Sequence, residues 1–412
     1  MFRSAESTTR PGALGHLRVL DLSRVLAGPW ASQVLADLGA EVIKVERPGG
    51  GDDTRGWGPP WLRDPSGAET SESAYFLSAN RGKKSITVDL TRPQGQDLVR
   101  RLAACSDVVL ENYKVGALDR YGLGYGDLSA LNPRLVYCSI TGFGQTGPYR
   151  QRAGYDFLIQ GMGGLMSLTG EPDGEPMKVG VAVLDIVTGM YAATAVLAAL
   201  AHRERSGRGQ HVDLALLDVQ VATLANQAQS YLVTGSNPRR LGNAHPSIVP
   251  YQAFATADGH IILAVGNDGQ FARFCQVAGR PDLAADERFR ANAGRVLHRA
   301  ALVPELERVL AMRPSSDWIA SLEAAGVPCG PINDLGQVFE DPQVRARGMR
   351  LEVPHPLAGT ASLVASPIRL SGTPVAPGTA PPTLGQHTHE VLAEVLGLDE
   401  ATRASLREVG VI

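Results

Sequence analysis

Cysteine is scarce in this chain. Its four thiols, Cys105, Cys138, Cys275 and Cys329, lie far apart and form no C-x-x-C pair. Neither a disulfide framework nor a structural zinc site is therefore supported. Free thiols fit a reducing compartment, so a cytoplasmic setting is expected. Net charge is slight as well, −3 over 412 residues, which gives no support to a nucleic-acid or membrane-surface partner. Long apolar runs are missing: the most apolar stretch, Met190–Ala201, is short and rich in alanine. The N-terminal MFRSAESTTRPGAL lacks the apolar core of a secretory signal. There is no Walker A run and no G-x-G-x-x-G after the first strand, so a nicotinamide or NTP cofactor has no support. His387 and His389 are two residues apart and would not face each other on a helix, so no metal site is expected.

What is present points to an enzyme of the α/β class. A length of 412 residues suggests about two domains. The 46 glycines and 27 prolines exceed the usual share, which assigns much of the chain to loops and tight turns. After a flexible arm over residues 1–15, strands and helices alternate. HLRVLDL (16–22) reads as a strand, Trp30–Leu38 as a helix by its apolar spacing, and EVIKVE (41–46) as a second strand. Residues 52–80 read as irregular. Further strands are expected at 84–90, 107–113 and 134–141, with Thr91 and Gln94 as a capping box opening a helix over 92–104. The alternation predicts a mainly parallel sheet, with ligands at the carboxyl ends of its strands. Tyr251–Gly266 predicts a hairpin, followed by helices near 268–278, 298–311 and 315–325. The divisions are a large domain over 1–227, linker included, a smaller α+β domain over 228–330, and a tail over 331–412. That tail holds a hairpin near 350–371 and a helix from about 384.

Several residues carry chemistry. Asp185 sits between an apolar run and a long helix expected over about 187–202. It reads either as a plain N-cap or as a carboxylate nucleophile at the positive end of a helix. The following helix is apolar on all sides except Thr194, so burial all round is expected. Arg47, Arg55, Arg81, Lys83 and Lys84 gather near the first strand ends, either as a solvated face or as a phosphate site. Tyr155 and Asp156 follow QRAG, and Asp156 reads as a second carboxylate near the site or as a helix start. Gly161-Met-Gly-Gly164 reads as a packing or turn element. His245, in GNAHPS, reads as a substrate contact or a loop residue.

These segments resemble the class III CoA-transferase family, which includes formyl-CoA transferase, carnitine CoA-transferase and α-methylacyl-CoA racemase. The matching strings include LRVLDLSRVLAGPWASQVLADLGAEVIKVERPGGGDDTR, NRGKKSITVDL, NPRLVYCSITGFGQTGP, RAGYD, LDIVTGMYAA and LGQHTHEVL. GDDTRGWGPP and GNAHPSIVPYQAF are most similar to the succinyl-CoA:glutarate CoA-transferase group. The resemblance implies an interlaced homodimer. In it a Rossmann-like large domain would be built from both ends of the chain, with the small domain inserted between. It implies no tightly bound cofactor, with acyl-CoA and a small carboxylate as substrates.

By motif, Asp185 matches the family nucleophile. It would form an acyl anhydride and then an aspartyl-CoA thioester. CoA-binding positions carry over to Val25, Ala27, Arg47, Val88, Asp89, Leu90, Asn112, Tyr113 and Arg120. The glutamine that relatives carry before Ala27 is Leu26 here. Gly242, Asn243 and His245, with Tyr155 and Asp156, are the substrate-side candidates. Racemases of the family carry AGHD where this chain has Ala153-Gly-Tyr-Asp156. A phenol is a poor proton shuttle near neutrality, which favours CoA transfer over the racemase alternative. A non-catalytic CoA-binding protein is the alternative of a different class.

Overall fold

The structure, a computed structural model, describes residues 12–375 and 378–412. Most of the expected N-terminal arm lies outside them. Its described end is held in place, since the Leu14 amide donates to the Leu38 carbonyl at 2.9 Å. The chain divides into two compact units. One collects the chain up to Gly164, Val179–Ala228 and Arg345–Ile412. The other holds Leu165–Lys178 and Gln229–Val344.

The first unit is built on six parallel strands: β1 (Arg18–Asp21), β2 (Glu41–Glu46), β3 (Lys83–Thr87), β4 (Val108–Glu111), β5 (Val136–Thr141) and β6 (His211–Ala215). Their spatial order is β3-β2-β1-β4-β5-β6, a Rossmann-like arrangement. Strand β2 is buried at every position and β4 likewise, as expected of parallel strands covered on both faces. The connections are helical: α1 (Ala27–Asp37), α2 (Pro93–Ala104), a short helix at Tyr125–Leu131, and the long crossover from β5 to β6. That crossover carries α3 (Asp156–Met162) and α4 (Val183–Ser206). The chain order reverses between β1 and β4, and a crevice opens at such a switch point, outside the carboxyl ends of the strands. The C-terminal segment completes this unit's core. Val391, Leu392 and Val411 are buried against Ile86, Val88 and Leu98.

Four expectations change here. The helix over 93–104 opens on Pro93, and no side chain caps it. Thr91 instead donates its hydroxyl to Asp89 at 2.6 Å, inside the preceding turn. Pro93 sits where a free N–H is not needed, so a capping box has no role. Residues 52–80 hold a short hairpin, Trp61–Arg63 with Glu69–Ser73, and a helix at Ala74–Ser78. The sixth strand was not expected at all. Helix α4 is not buried all round: Met190, Tyr191, Thr194, Ala198 and Ala201 form an exposed stripe. At 24 residues α4 is long and apolar enough to cross a membrane, yet half of its apolar window is buried within the chain. Its buried face meets α1 closely. A Cβ on Gly189 would lie 2.7 Å from the Ala27 carbonyl oxygen and 2.9 Å from Trp30 Cβ.

The second unit carries an antiparallel sheet of Cys329–Pro331, His260–Ala264 and Tyr251–Ala255, in that order. Phe254, Phe271, Phe274, Phe289, Leu306 and Trp318 fill its core. Helices follow at Asp268–Val277, Arg299–Leu310 and Ser315–Ala324. In the tail, the hairpin is Arg350–His355 with Gly359–Val364, and the helix begins at Thr388.

Candidate active site

The loop from β1 into α1 is under backbone strain. Val25 has φ of 70°, in the left-handed region that a β-branched residue rarely enters. Fixed partners hold it there. The Val25 amide donates to Asp52 Oδ1 at 3.2 Å. The Asn112 side chain clamps Arg24 from both sides, accepting its N–H at 2.9 Å and donating to its carbonyl at 2.6 Å. Lys44 Nζ donates to the Ser23 carbonyl and pairs with Asp52, each at 2.8 Å, with both side chains fully buried. Burial alone would raise the Asp52 carboxyl. The Lys44 ammonium and the Thr54 N–H and hydroxyl outweigh it and hold the group at about 2. Beside this pair, Asp21 receives Lys83 Nζ at 3.2 Å and the Ser32 hydroxyl at 2.5 Å.

Asp185 lies in the first turn of α4, two residues inside it, with Ala182 at the cap position. It is therefore not the N-cap. That role falls to Asp156, the first residue of α3, whose Oδ2 accepts the Leu184 amide at 2.8 Å and the Asp185 amide at 3.4 Å. Its Oδ1 accepts Gln160 Nε2 at 2.6 Å. Glycine brings this segment in. A Cβ on Gly142, just past β5, would lie 2.6 Å from Gly154 Cα, so the two backbones touch and only glycine fits. Burial pushes the Asp185 carboxyl up to about 7, and the neighbouring Asp156 charge adds to the rise.

Asp185 opens onto a cavity outside the ends of β1, β4 and β5. Arg24–Ala27, Asn112–Val115, Ile140–Gly142 and the 150–155 segment line it. The structure thus gathers Val25, Ala27, Asn112, Tyr113, Tyr155 and Asp185 around one space. Asp156 lies buried beneath it. The other expected positions lie apart from the cavity. Val88 is buried in the sheet core and Leu90 packs at its edge. Asp89 folds into the turn before α2, and Arg47 and Arg120 are exposed. Gly242, Asn243 and His245 belong to the second unit. There the Gly242 amide donates to Gly170, and His245 Nδ1 accepts the Ser247 amide at 3.0 Å. Among the described residues no three His, Cys, Asp or Glu side chains are grouped to hold a metal ion.

Both readings of the basic cluster, solvated face and phosphate site, are corrected for most of its members. Arg81 is buried and forms a two-pronged pair with Asp37. Arg55 is buried between Glu46, at 2.7 Å, and Glu72, at 3.2 Å. Burial overcomes the pull of Asp21 on Lys83 and brings that ammonium down to about 7. Lys84 pairs with Glu390 at 2.5 Å. Charges taken from water need counter-charges, and these have them. Of the five cations only Arg47 is exposed.

Sequence reasoning missed the cations that do line the cavity: Arg24, Lys114, Arg150 and Arg152. Arg24 pairs with Asp53 at 2.8 Å. Arg152 stands over the rings of Tyr149 and Phe143, at 4.7 and 5.2 Å from their centroids. Neither Arg150 nor Arg152 pairs with a carboxylate among the described residues. The signal was the Arg-Gln-Arg string just before AGYD.

Comparison with known proteins places this geometry. The pattern of "CoA-transferase family III" matches residues 14–388. A succinate–glutarate CoA-transferase of Agrobacterium fabrum is 53% identical, over 94% of this chain and 96% of that protein. A succinyl-CoA:glutarate CoA-transferase of Mus musculus is 47% identical, over 97% and 90%. Among solved structures, a CaiB/BaiF family protein from Brucella suis superposes with a TM-score of 0.83. It is 51% identical, over 94% of this chain and 100% of that one.

Proposed function

The chain belongs to CoA-transferase family III, and from that premise we propose that it moves CoA from succinyl-CoA, or another dicarboxyl-CoA, to a free dicarboxylate such as glutarate, with Asp185 as nucleophile. The observation that carries the reading is a poorly stabilised carboxylate and two arginines without a carboxylate partner facing the same cavity. The names of its relatives point the same way.

In the proposed sequence an Asp185 oxygen attacks the thioester carbonyl and CoA leaves as its thiolate, giving a mixed anhydride. The thiolate then attacks the Asp185 carbonyl, releasing the donor as a carboxylate and leaving an aspartyl-CoA thioester. The acceptor carboxylate attacks that carbonyl, freeing the thiolate and forming a second anhydride. A final attack of the thiolate on the acceptor carbonyl yields the new acyl-CoA and restores Asp185. One hard exchange becomes four easier ones. A carboxylate with no cation of its own begins from a high-energy ionised state, which favours attack. Tyr155 stands where a racemase would need a proton shuttle, and a phenol does not serve that chemistry.

Arg150 and Arg152 would hold the remote carboxylate of a dicarboxylate, leaving its other end free to reach Asp185. The backbone of the strained β1–α1 loop would lie along the CoA arm, with Arg47 and Arg120 as candidates for its phosphates. A homodimer would cover the exposed apolar side of α4, at Met190 and Tyr191, together with Phe157 of α3. The test is succinyl-CoA incubated with a panel of mono- and dicarboxylates, with new CoA thioesters scored by mass spectrometry. The expected result is exchange to short dicarboxylates, abolished by Asp185→Ala. Full exchange by Asp185→Ala would overturn the assignment of the nucleophile.

A further inference from the structure

Asp156 does more than lie near the site. We infer that Asp156 is the positioning residue for Asp185, taking up the helix N-terminal amides that would otherwise stabilise the Asp185 anion and placing a like charge beside it. This rests on the reading of Asp185 as nucleophile.

The first turn of a helix offers free N–H groups and a partial positive charge, a natural stabiliser for a carboxylate. In α4 two of those donors, on Leu184 and Asp185, point at Asp156 Oδ2 instead. Asp156 is itself fixed. Gln160, fully buried, donates to its Oδ1 at 2.6 Å and accepts the Val179 amide at 2.9 Å with its own oxygen. The carboxylate is thus held from α3, across the Gly142–Gly154 contact, against the start of α4. Two effects follow for Asp185. Its backbone is pinned by the hydrogen bond from its own N–H. Its side chain is denied that N–H and faces a negative neighbour. Burial together with the Asp156 charge accounts for its rise to about 7.

Asp53, Tyr113 and Tyr155 also line the cavity, with Asp53 paired to Arg24, and Tyr75, from the helix at Ala74–Ser78, feels both carboxylates. Burial and the charges of Asp185 and Asp156 raise its hydroxyl, so it stays neutral and adds no charge. Of the cations on the cavity wall, Arg24, Lys114, Arg150 and Arg152, none offsets the Asp185 charge. When Asp185 is acylated its charge disappears and the repulsion with it. The arrangement therefore raises the free nucleophile in energy relative to the covalent intermediate, which is how a weak base becomes reactive toward a thioester.

The experiment compares the pH dependence of kcat/KM for acyl-CoA in the wild type, Asp156→Asn and Asp185→Ala. In the free enzyme that profile reports the nucleophile's ionisation. Wild type should lose activity below about pH 7. Asp156→Asn keeps an oxygen for the two amides and removes the charge. Its acidic limb should move down by about one pH unit. Its plateau should fall several-fold, because a less basic carboxylate is a weaker nucleophile. A purely structural cap would lower the melting temperature and leave the limb in place. That outcome overturns the inference while an inactive Asp185→Ala preserves the proposed mechanism. Active Asp185→Ala would sink the mechanism itself. If Asp156→Asn fails to fold, the wild-type profile still decides: an acidic limb in the ordinary carboxylate range refutes the inference.

Discussion

Gly189 offers a direct test of how the two helices around the site are locked together. It lies one turn beyond Asp185 on α4, facing the first residues of α1. Replacing it with alanine has two opposed effects. Alanine favours a helix over glycine by about 1 kcal/mol. Against that, the new methyl would sit 2.7 Å from the Ala27 carbonyl oxygen and 2.9 Å from Trp30 Cβ. The first of these atoms is backbone and cannot swing aside, so the helices must separate, at an overpacking cost of about 1–3 kcal/mol. The net expectation is a loss of up to about 2 kcal/mol, read by urea denaturation as a lower midpoint at unchanged slope. Activity should fall as well. Ala27 and Asp185 face the same cavity from the two helices being pushed apart. Because a misplacement of about 1 Å can cost ~100-fold in rate, a separation of a few tenths should lower kcat/KM about tenfold or less. The exposed Thr194→Ala on the same helix is the control. It combines a propensity gain with loss of the exposed hydroxyl's hydrogen bond to the Met190 carbonyl at 2.9 Å, and should be close to neutral. A Gly189→Ala protein as stable and as active as wild type would refute the close-contact argument.

Other expectations follow from the buried charges and the cavity rim. Lys44→Met leaves Asp52 buried without its ammonium and should destabilise by about 3–5 kcal/mol, part of it recovered by adding Asp52→Asn, which removes the charge and keeps an acceptor for the Val25 and Thr54 donors. Asp52 also sets an acid limit. Its carboxyl is lowered in the folded state from 3.8 to about 2. Its stabilising contribution is therefore complete above the unfolded value and lost as pH falls through the folded one. That loss amounts to about 2 kcal/mol, visible by denaturation at stepped pH and reduced in Asp52→Asn. Arg150→Gln or Arg152→Gln should raise KM for glutarate about tenfold or more while changing that for a monocarboxylate of similar length much less. Equal effects on both acids would refute a role at the remote carboxylate.

Much of the sheet was legible because each central strand carries a short cluster of β-branched and other apolar residues. EVIKVE was bounded correctly to the residue: Val42, Ile43 and Val45 supply the apolar signal, while Glu41, Lys44 and Glu46 are buried against counter-charges from elsewhere in the chain. Strand β6, HVDLA, escaped notice because it is an edge strand. It pairs with β5 alone, so its polar side chains find partners at the rim. His211 Nε2 meets the Ser139 hydroxyl at 2.9 Å, and Asp213 accepts the Gln145 amide. The hairpin at 61–73 escaped for a similar reason, being short and half exposed. The start of α4 was misplaced because Asp185 has the look of a cap, whereas the capping carboxylate comes from Asp156, 28 residues before Leu184.

The site was legible in its residue types and not in its charge pairings, and the misread basic run and the missed arginines share a cause. Arg81, Lys83 and Lys84 form a basic run in sequence, but their acidic partners arrive from distant positions. Asp37 lies 44 residues before Arg81, Asp21 lies 62 before Lys83, and Glu390 lies 306 after Lys84. A basic run therefore became internal struts, while Arg150 and Arg152, less conspicuous in sequence, kept their charge for the cavity. The struts serve the site indirectly. Lys44, Asp52 and Asn112 turn buried charge and amide groups into a fixed backbone path through Arg24 and Val25. A left-handed valine costs energy of about 1–3 kcal/mol that a looser loop would release by relaxing. Its persistence requires the network beneath it, so that network sets the shape of the cavity wall facing Asp185. Breaking a strut should thus distort acyl-CoA binding before it touches the chemistry at the carboxylate.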